Sequence, residues 1–191
     1  MIPPGTTHLS TDRLVLRTWT DDDVASMLAL STDPEVMRYF PAPMTPEQAA
    51  AFVAQQRERL AAGEAGNFLV EHRETGAFVG FTGLSVPRHA LPFQPCVEVG
   101  WRLVREAWGH GYATEAARAC LDHAFDTLAL DEVVSFTAVV NLPSRRVMER
   151  LGMHRDPADD FDHPAVPSGH EVERHVLYRI TAAEWRALRP R

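Results

Sequence analysis

The sequence predicts a mixed α/β fold, and three observations carry that prediction. Short segments of alternating apolar and polar residues, each about the length of a strand, recur along the 191-residue chain. Between them lie longer stretches whose apolar side chains repeat at helical spacing. Neither an internal repeat nor a low-complexity linker divides the series, so a single domain over 1–191, with its core at about 7–185, is expected.

The first strand is expected over Arg13 to Arg17, where Leu14 and Leu16 alternate with polar neighbours. Thr20 can cap a helix starting at Asp21, with Asp23 at the capping-box position and Val24, Met27 and Leu28 as its apolar face. A clearer start follows at Thr45, where Pro46 suits the first helical position and Gln48 closes a capping box before Ala49 to Leu60. Beyond Gly63 the period changes to that of strands: Asn67 to His72 and Ala77 to Val86, joined by a turn at Glu74, Thr75 and Gly76.

The prolines of RHALPFQP oppose strand pairing and make it a loop, and Cys96 to Leu103 is the next strand, with Gly100 permitting a bulge or a close ligand approach. Ala116, Ala117, Cys120, Leu121, Ala124, Phe125 and Leu128 give the stretch Ala113 to Leu128 a helical face. A strand over Val133 to Val140, a short helix over Ser144 to Leu151 stopped by Gly152, and a strand over Glu171 to Ile180 complete the series. Thr181 and Glu184 then form another capping box before Trp185.

Composition narrows the function classes. The formal charge is −7, all 19 Lys+Arg residues are arginines, and no basic or aromatic-basic stripe runs along the chain, which argues against nucleic acid as a direct partner. No stretch of about 18 apolar residues is present and the opening MIPPGTTHLS has no signal-like core, so a cytoplasmic protein without membrane contact is expected. Cys96 and Cys120 are too few and too far apart for a disulfide framework or a thiolate metal site.

The most informative stretch is RLVREAWGHGYATEAARACLDHAF, Arg102 to Phe125. A strand leads into two closely spaced glycines and then an amphipathic helix. Such a turn can present consecutive backbone amides to anionic oxygens at the positive end of the helix, without a lysine. Gly109 and Gly111 relieve crowding there and Ala113 keeps the entrance small, although two glycines before a helix also suit an ordinary turn. The segment has neither GxxxxGK[ST] nor a complete GxGxxG, so NTP hydrolysis and nicotinamide binding fit less well than coenzyme A.

Three motifs, VEVGWRL (Val97 to Leu103), WGHGYATEA (Trp108 to Ala116) and NLPSRRVMERLGM (Asn141 to Met153), together resemble the GCN5-related N-acetyltransferase (GNAT) superfamily, in particular its ribosomal-protein N-terminal acetyltransferase-like (RimJ/RimL-type) branch. The similarity of order runs from about Thr7 to Trp185. It implies a central mixed sheet flanked by helices and splayed between its fourth and fifth strands, which admits the pantetheine arm of acetyl-CoA. The donor site it implies comprises Val99, Trp101, Trp108, Gly109, His110, Gly111, Tyr112, Ala113, Thr114, Asn141 and Arg146. Trp108 stands where the superfamily often has Gln or Arg, a departure that leaves a backbone amide site intact. Arg145 and Arg146 can add phosphate contacts or remain solvated helix arginines.

Direct transfer to a primary amine requires a deprotonated nitrogen near the thioester carbonyl, a donor for the developing oxyanion and help for the departing thiolate. The resemblance places Ser144 near the sulfur, where its hydroxyl can hydrogen-bond as CoA leaves; its other reading is a helix-start residue. Asn141 resembles the residue that contacts pantetheine, or else caps the following helix. Glu98 is the candidate base or water-recruiting residue, but a carboxylate near its ordinary pKa of about 4.3 is weakly basic unless its surroundings assist. His154 and Tyr178 can reach the site or serve the fold.

The histidines and acids from His154 to His175 form no HExxH, zinc-finger or EF-hand pattern, so no metal site is expected and a polar acceptor loop is. That loop, Arg88 to Cys96 and the N-terminal helical region, with Trp19, Tyr39, Phe40 and Trp101, are expected to shape the amine pocket. A protein or peptide N-terminus is the leading acceptor, with small-molecule amines or a non-catalytic acyl-CoA-binding module as alternatives. A homodimer is compatible with the sequence, which marks no interface.

Overall fold

The computed structural model describes residues 8–189; the opening stretch through Thr7, where the core was expected to begin, lies outside the described residues. The chain runs β1 (His8–Ser10), β2 (Leu14–Arg17), α1 (Val24–Thr32), α2 (Pro34–Met37), α3 (Pro46–Ala61), β3 (Asn67–His72), β4 (Phe78–Ser85), β5 (Glu98–Leu103), α4 (Tyr112–Asp122), β6 (Glu132–Ala138), α5 (Leu142–Arg150), β7 (Phe161–Asp162), β8 (Arg174–Thr181) and α6 (Ala182–Leu188). Its strands form one 8-stranded mixed sheet in the order β1-β2-β3-β4-β5-β6-β8-β7.

The helix starts follow local capping chemistry. Thr45 Oγ1 accepts from the Gln48 amide while the Gln48 side chain accepts from the Thr45 amide, and Thr181 and Glu184 repeat the arrangement at α6. Asp23 closes the Thr20 box over a single 3-10 turn, and its carboxylate also takes two hydrogen bonds from Arg17, at 2.8 and 2.9 Å. That clamp ties the end of β2 to the start of α1. α1 and α3 then cover one face of β3 and β4, burying Trp19, Met27, Leu30 and Val53.

On the other face lies α4, which continues through a π turn over His123–Thr127 and buries Ala116, Ala117, Cys120, Leu121, Ala124 and Phe125. These are the positions whose helical spacing marks the segment in the sequence. Thr82 on β4 meets Cys120 of α4, whereas Phe81 on the opposite face packs with Trp19 and Phe52. The sheet is therefore buried on both sides, which accounts for the near-continuous apolar run of β4.

Several boundaries differ from the sequence expectation. β5 starts at Glu98 rather than Cys96, following Pro95, and β8 starts at Arg174 rather than Glu171. α5 begins at Leu142 rather than Ser144, because Asn141 takes the cap position and Pro143 fits the first turn. The three-residue β1, the two-residue β7 and the four-residue α2 are too short to leave a period in the sequence. Because β1 adds an edge strand, the expected fourth and fifth strands are β5 and β6.

Among the described residues these two are the only parallel neighbours in the sheet. Glu98 pairs with Val134, the Val134 amide donates to the Val97 carbonyl at 2.9 Å, and the ladder is carried no further. Toward their C-terminal ends the strands part. β4 continues to pair with β5 up to Leu103, and β8 with β6 up to Ala138, so both walls of the gap are held from outside.

Candidate active site

The gap opens into a cleft of ≈ 760 Å³. Gly100, Trp101 and Leu103 of β5 form one wall, and Ser135, Phe136 and Thr137 of β6 the other. The turn before α4 and the first turn of α5 close one end; Tyr39 and Phe40 after α2, together with His163 and His175, line other parts.

The turn before α4 has the geometry of an anion cradle. Gly109 and Gly111 have φ of 78° and 81°, the left-handed region that L-residues rarely occupy, and Gly111 is the N-cap of α4. First-turn amides of an α-helix lack intrahelical acceptors, so Tyr112, Ala113 and Thr114 can offer theirs outward. The Thr114 hydroxyl lies buried with no partner within the protein, and its residue lines the cleft. An orphaned donor beside these amides fits a phosphate-bearing donor molecule.

Two anchors hold the turn. Trp108 is half exposed on the cleft wall, and its indole donates to the Leu103 carbonyl at 2.9 Å, pinning the turn to the end of β5. On the far side, Glu115 in the first turn of α4 accepts from Thr11 Oγ1 at 2.6 Å, the Arg13 amide at 3.0 Å and Arg13 Nε at 2.7 Å. Burial opposes ionisation of Glu115, but these donors outweigh it and hold the carboxyl below its ordinary range. The glutamate of GYATEA thus fastens α4 to the β1–β2 turn, a role the sequence did not disclose.

Glu98 sits at the apex where the strands part. It keeps a partial exposure toward the cleft, and Ser85 Oγ donates to its Oε2 at 3.4 Å. Desolvation pushes its pKa up to about 8, against a smaller lowering by Ser85. The surroundings therefore supply what an ordinary glutamate lacks as a base, a proton affinity matched to neutral pH.

The start of α5 forms the opposite side. Asn141 is buried; its Oδ1 accepts from the Ser144 amide at 3.3 Å and its Nδ2 donates to Thr137 Oγ1 at 2.8 Å. The capping reading of Asn141 is thus realised, while the residue also lines the cleft. Its cap fixes Ser144 at the third helical position, with the residue on the cleft wall. Arg146 and Arg150 also reach that wall, whereas Arg145 turns away to donate to the Val139 carbonyl at 3.0 Å.

Of the residues singled out in the sequence, Glu98, Trp101, Trp108, Gly109, Gly111, Tyr112, Ala113, Thr114, Asn141, Ser144 and Arg146 converge on this cleft. Others do not. Val99 is fully buried in the core, and the His110 ring stacks on Tyr112 at 5.4 Å, off the cleft wall. His154 lies against Glu184, and the Tyr178 hydroxyl donates to the carboxylate of the exposed Glu149; neither residue lines the cleft. Trp19 is core.

Ser85, Arg102, Ser135, Thr137, His163 and His175 line the cleft without having been anticipated. A charged side chain inside VEVGWRL and a serine inside VVSF were readable signals, since polar residues in buried strands call for a reason. Desolvation, with His175 and His89 nearby, lowers the His163 pKa to about 4, so its imidazole is neutral at physiological pH. Among the described residues no helix is long and apolar enough to cross a membrane.

A cleft between parted parallel strands, with free helix-start amides at one end and a carboxyl of raised pKa at its apex, is an arrangement that suits an acyltransferase with a phosphate-bearing donor. Residues 13–154 match the family model described as an acetyltransferase (GNAT) domain, and the chain belongs to that family of acetyl-CoA-dependent N-acetyltransferases, which act on amines. It is 35% identical over 149 residues to the Bacillus subtilis protein YkkB, spanning 78% of this chain and 86% of YkkB. It is 33% identical over 164 residues to the Aspergillus fumigatus FsC-acetyl coenzyme A-N(2)-transacetylase, spanning 83% of this chain and 69% of that protein. A crystal structure of a GNAT-family acetyltransferase from Bacillus anthracis superposes with a TM-score of 0.75 at 27% identity, covering 93% of this chain and all of that one.

Proposed function

We propose that the chain acetylates a primary amine by direct transfer from acetyl-CoA, that the acceptor is the N-terminal amine of a peptide or protein, and that Glu98 and Ser144 carry the chemistry. The observation that carries this reading is the placement of Glu98, a carboxyl with proton affinity near neutrality at the point where β5 and β6 part. The choice of acceptor rests on the motif resemblance to the RimJ/RimL-type branch.

Acetyl-CoA, when bound, supplies the thioester carbonyl that the amine attacks. The amides from Gly109 to Thr114 and the Thr114 hydroxyl hold its pyrophosphate, and Arg146 adds charge at the same wall. Trp101 and Asn141 border the path of its pantetheine arm. Ionised Glu98 takes the proton from the incoming ammonium and frees the nitrogen lone pair. Ser144 donates a hydrogen bond where negative charge collects on the departing sulfur, and the cap from Asn141 fixes the backbone that carries it. No residue of the chain needs to be acylated.

The test is transfer itself. The protein is incubated with acetyl-CoA and a panel of peptides, polyamines, aminoglycosides and small amines, and acetylated product and free CoA are both quantified. Equal yields that depend on the amine, with the highest kcat/KM for peptide N-termini, are expected. Donor binding without amine-dependent CoA release would instead identify an acyl-CoA-binding module, and a preference for polyamines or aminoglycosides would reassign the acceptor.

A further inference from the structure

Arg102 is a charged side chain enclosed in the cleft without a counter-charge. Its Nη1 donates to the hydroxyl of the fully buried Ser31 at 3.2 Å, and its guanidinium lies over the rings of Phe40 and Phe81, at 3.9 and 5.4 Å. Its Nε is buried with no acceptor within the protein. Arg17, Arg155, Arg179 and Arg189 all pair with carboxylates, whereas no ion pair among the described residues includes Arg102. Desolvation with nothing to offset it pulls its pKa down to about 10. Enclosed guanidinium groups are ordinarily paired, because an uncompensated buried charge is costly.

The position of this cation ties it to the reaction. Residues alternate faces along a strand, so Glu98, Gly100 and Arg102 point to the same side of β5, as do their β4 partners Ser85, Gly83 and Phe81. All three β5 residues line the cleft. A Cβ at Gly100 would meet only Glu98 Oε1, at 3.8 Å, so the floor between the carboxyl and the guanidinium is open. The charged groups lining the Arg102 end of the cleft from α2 and the turn after it are Glu35 and Arg38, which leave that end net positive.

We propose that Arg102 recognises a carboxylate on the acceptor, so that the substrate is an amine bearing a carboxylate several bonds from its reactive nitrogen. The proposal rests on the amine-acetyltransferase reading of the cleft and narrows its substrate class. The planar guanidinium fork suits a carboxylate, and its free Nε is one of the donors such a pair uses. Four residues at a rise of roughly 3.3 Å set the two Cα atoms about 13 Å apart, and Ser31, Phe40 and Phe81 hold the guanidinium at its own rung rather than over Gly100. An amine at Glu98 and a carboxylate at Arg102 are therefore too far separated to be the adjacent groups of one α-amino acid. A peptide with an acidic residue beside its N-terminus, a dipeptide with a free C-terminus and an ω-amino acid all span the gap.

The experiment compares acceptors that differ only in the anion, at saturating acetyl-CoA. Ala-Glu-Ala amide is set against Ala-Gln-Ala amide, Ala-Ala against its amide, and 6-aminohexanoate against its amide. The pairs separate a side-chain, a terminal and a small-molecule source of the carboxylate. The expected result is a kcat/KM ratio of at least about tenfold in favour of the acid in one pair or more, the factor a hydrogen-bonded charge pair confers. Arg102→Met should bring that ratio close to one, and Arg102→Lys should keep part of it.

Methionine follows the arginine chain as far as Nε and replaces an unpaired cation with a flexible apolar side chain. The wild-type ratios stand even if the variant fails to fold. Acetylation with no acid preference in any pair overturns the proposal and leaves the amine-transfer reading intact. So does a preference that survives in Arg102→Met, or a variant effect confined to the KM for acetyl-CoA, which would place the guanidinium on the donor. Absence of transfer to every amine overturns the underlying reading and the proposal together.

Discussion

Glu98 on β5 stands opposite Val134 on β6 at the rung where two parallel strands part. The pairing places a carboxyl at the apex of the gap, on the cleft lining and beside Ser85 of β4. A group so placed has a pKa raised from 4.5 to about 8. The folded chain then keeps a proton that the unfolded chain has released throughout that window, so stability falls as pH rises through it. Glu98→Gln removes this slope. The melting temperature of the variant relative to wild type should climb between about pH 5 and pH 8.5, by roughly 2–4 °C for each 1 kcal/mol relieved. Parallel melting curves for the two proteins across that range would refute the assignment.

Ser144 occupies the cleft wall at the start of α5 while Asn141 caps its amide, so its hydroxyl can be removed without dismantling the helix start. Ser144→Ala should lower kcat by about 10- to 100-fold, the scale of a hydrogen bond to a charged centre. Its acetyl-CoA dissociation constant should stay within about threefold of wild type, a split that steady-state kinetics and calorimetric titration resolve together. An unaltered kcat would remove Ser144 from the chemistry.

Gly111 is constrained by its backbone rather than by its neighbours. A Cβ there would touch only Arg13 Nη2 at 3.7 Å, an ordinary contact, but φ is 81°. A β-branched residue in that region costs about 1–3 kcal/mol and is relieved by moving the turn. Gly111→Val should therefore weaken acetyl-CoA binding by about tenfold or more, whereas Gly111→Asn, which tolerates the left-handed region, should retain most of it. Equal affinity in a folded Gly111→Val protein would place the pyrophosphate elsewhere.

Glu115 accepts hydrogen bonds from Thr11 and from the amide and guanidinium of Arg13, across 104 and 102 residues of chain. Glu115→Ala deletes that clamp and should destabilise the protein by about 2 kcal/mol, or roughly 4–8 °C in Tm. Adding acetyl-CoA should raise the Tm of both proteins, and by no more in the variant than in wild type, because a ligand stabilises the native state according to its affinity for it. A Tm unchanged from wild type would show that α4 is held by its apolar face alone.

The sequence disclosed most of the frame because each large element left a local signature. The capping boxes at Thr45 and Thr181 and the helical stripe from Ala116 to Phe125 were visible in single stretches of chain. Elements defined by distant partners were not. β7 exists through its pairing with β8, and β1 through its pairing with β2. The glycine turn on the cleft wall was legible for the same reason as the helices, since the turn and the helix it precedes are contiguous. The environment of Glu98 was not, because Ser85 reaches it from β4 and the enclosing protein comes from across the sheet. Arg102 shows the same limit: its charge stands out in VEVGWRL, but its lack of a counter-ion becomes visible only once α1, α2 and β4 are in place.

The account turns on Glu98 as the group that frees the amine, and the most direct test is the pH dependence of kcat/KM for the acceptor in wild type and Glu98→Gln at saturating acetyl-CoA. The wild-type rate should rise with pH along a limb of apparent pKa about 8. In the variant the rate should fall by roughly 10²–10⁴-fold, the range of general-base catalysis, and any remaining limb should move with the pKa of the acceptor amine used. A Glu98→Gln enzyme with the wild-type rate and the same limb would contradict the account.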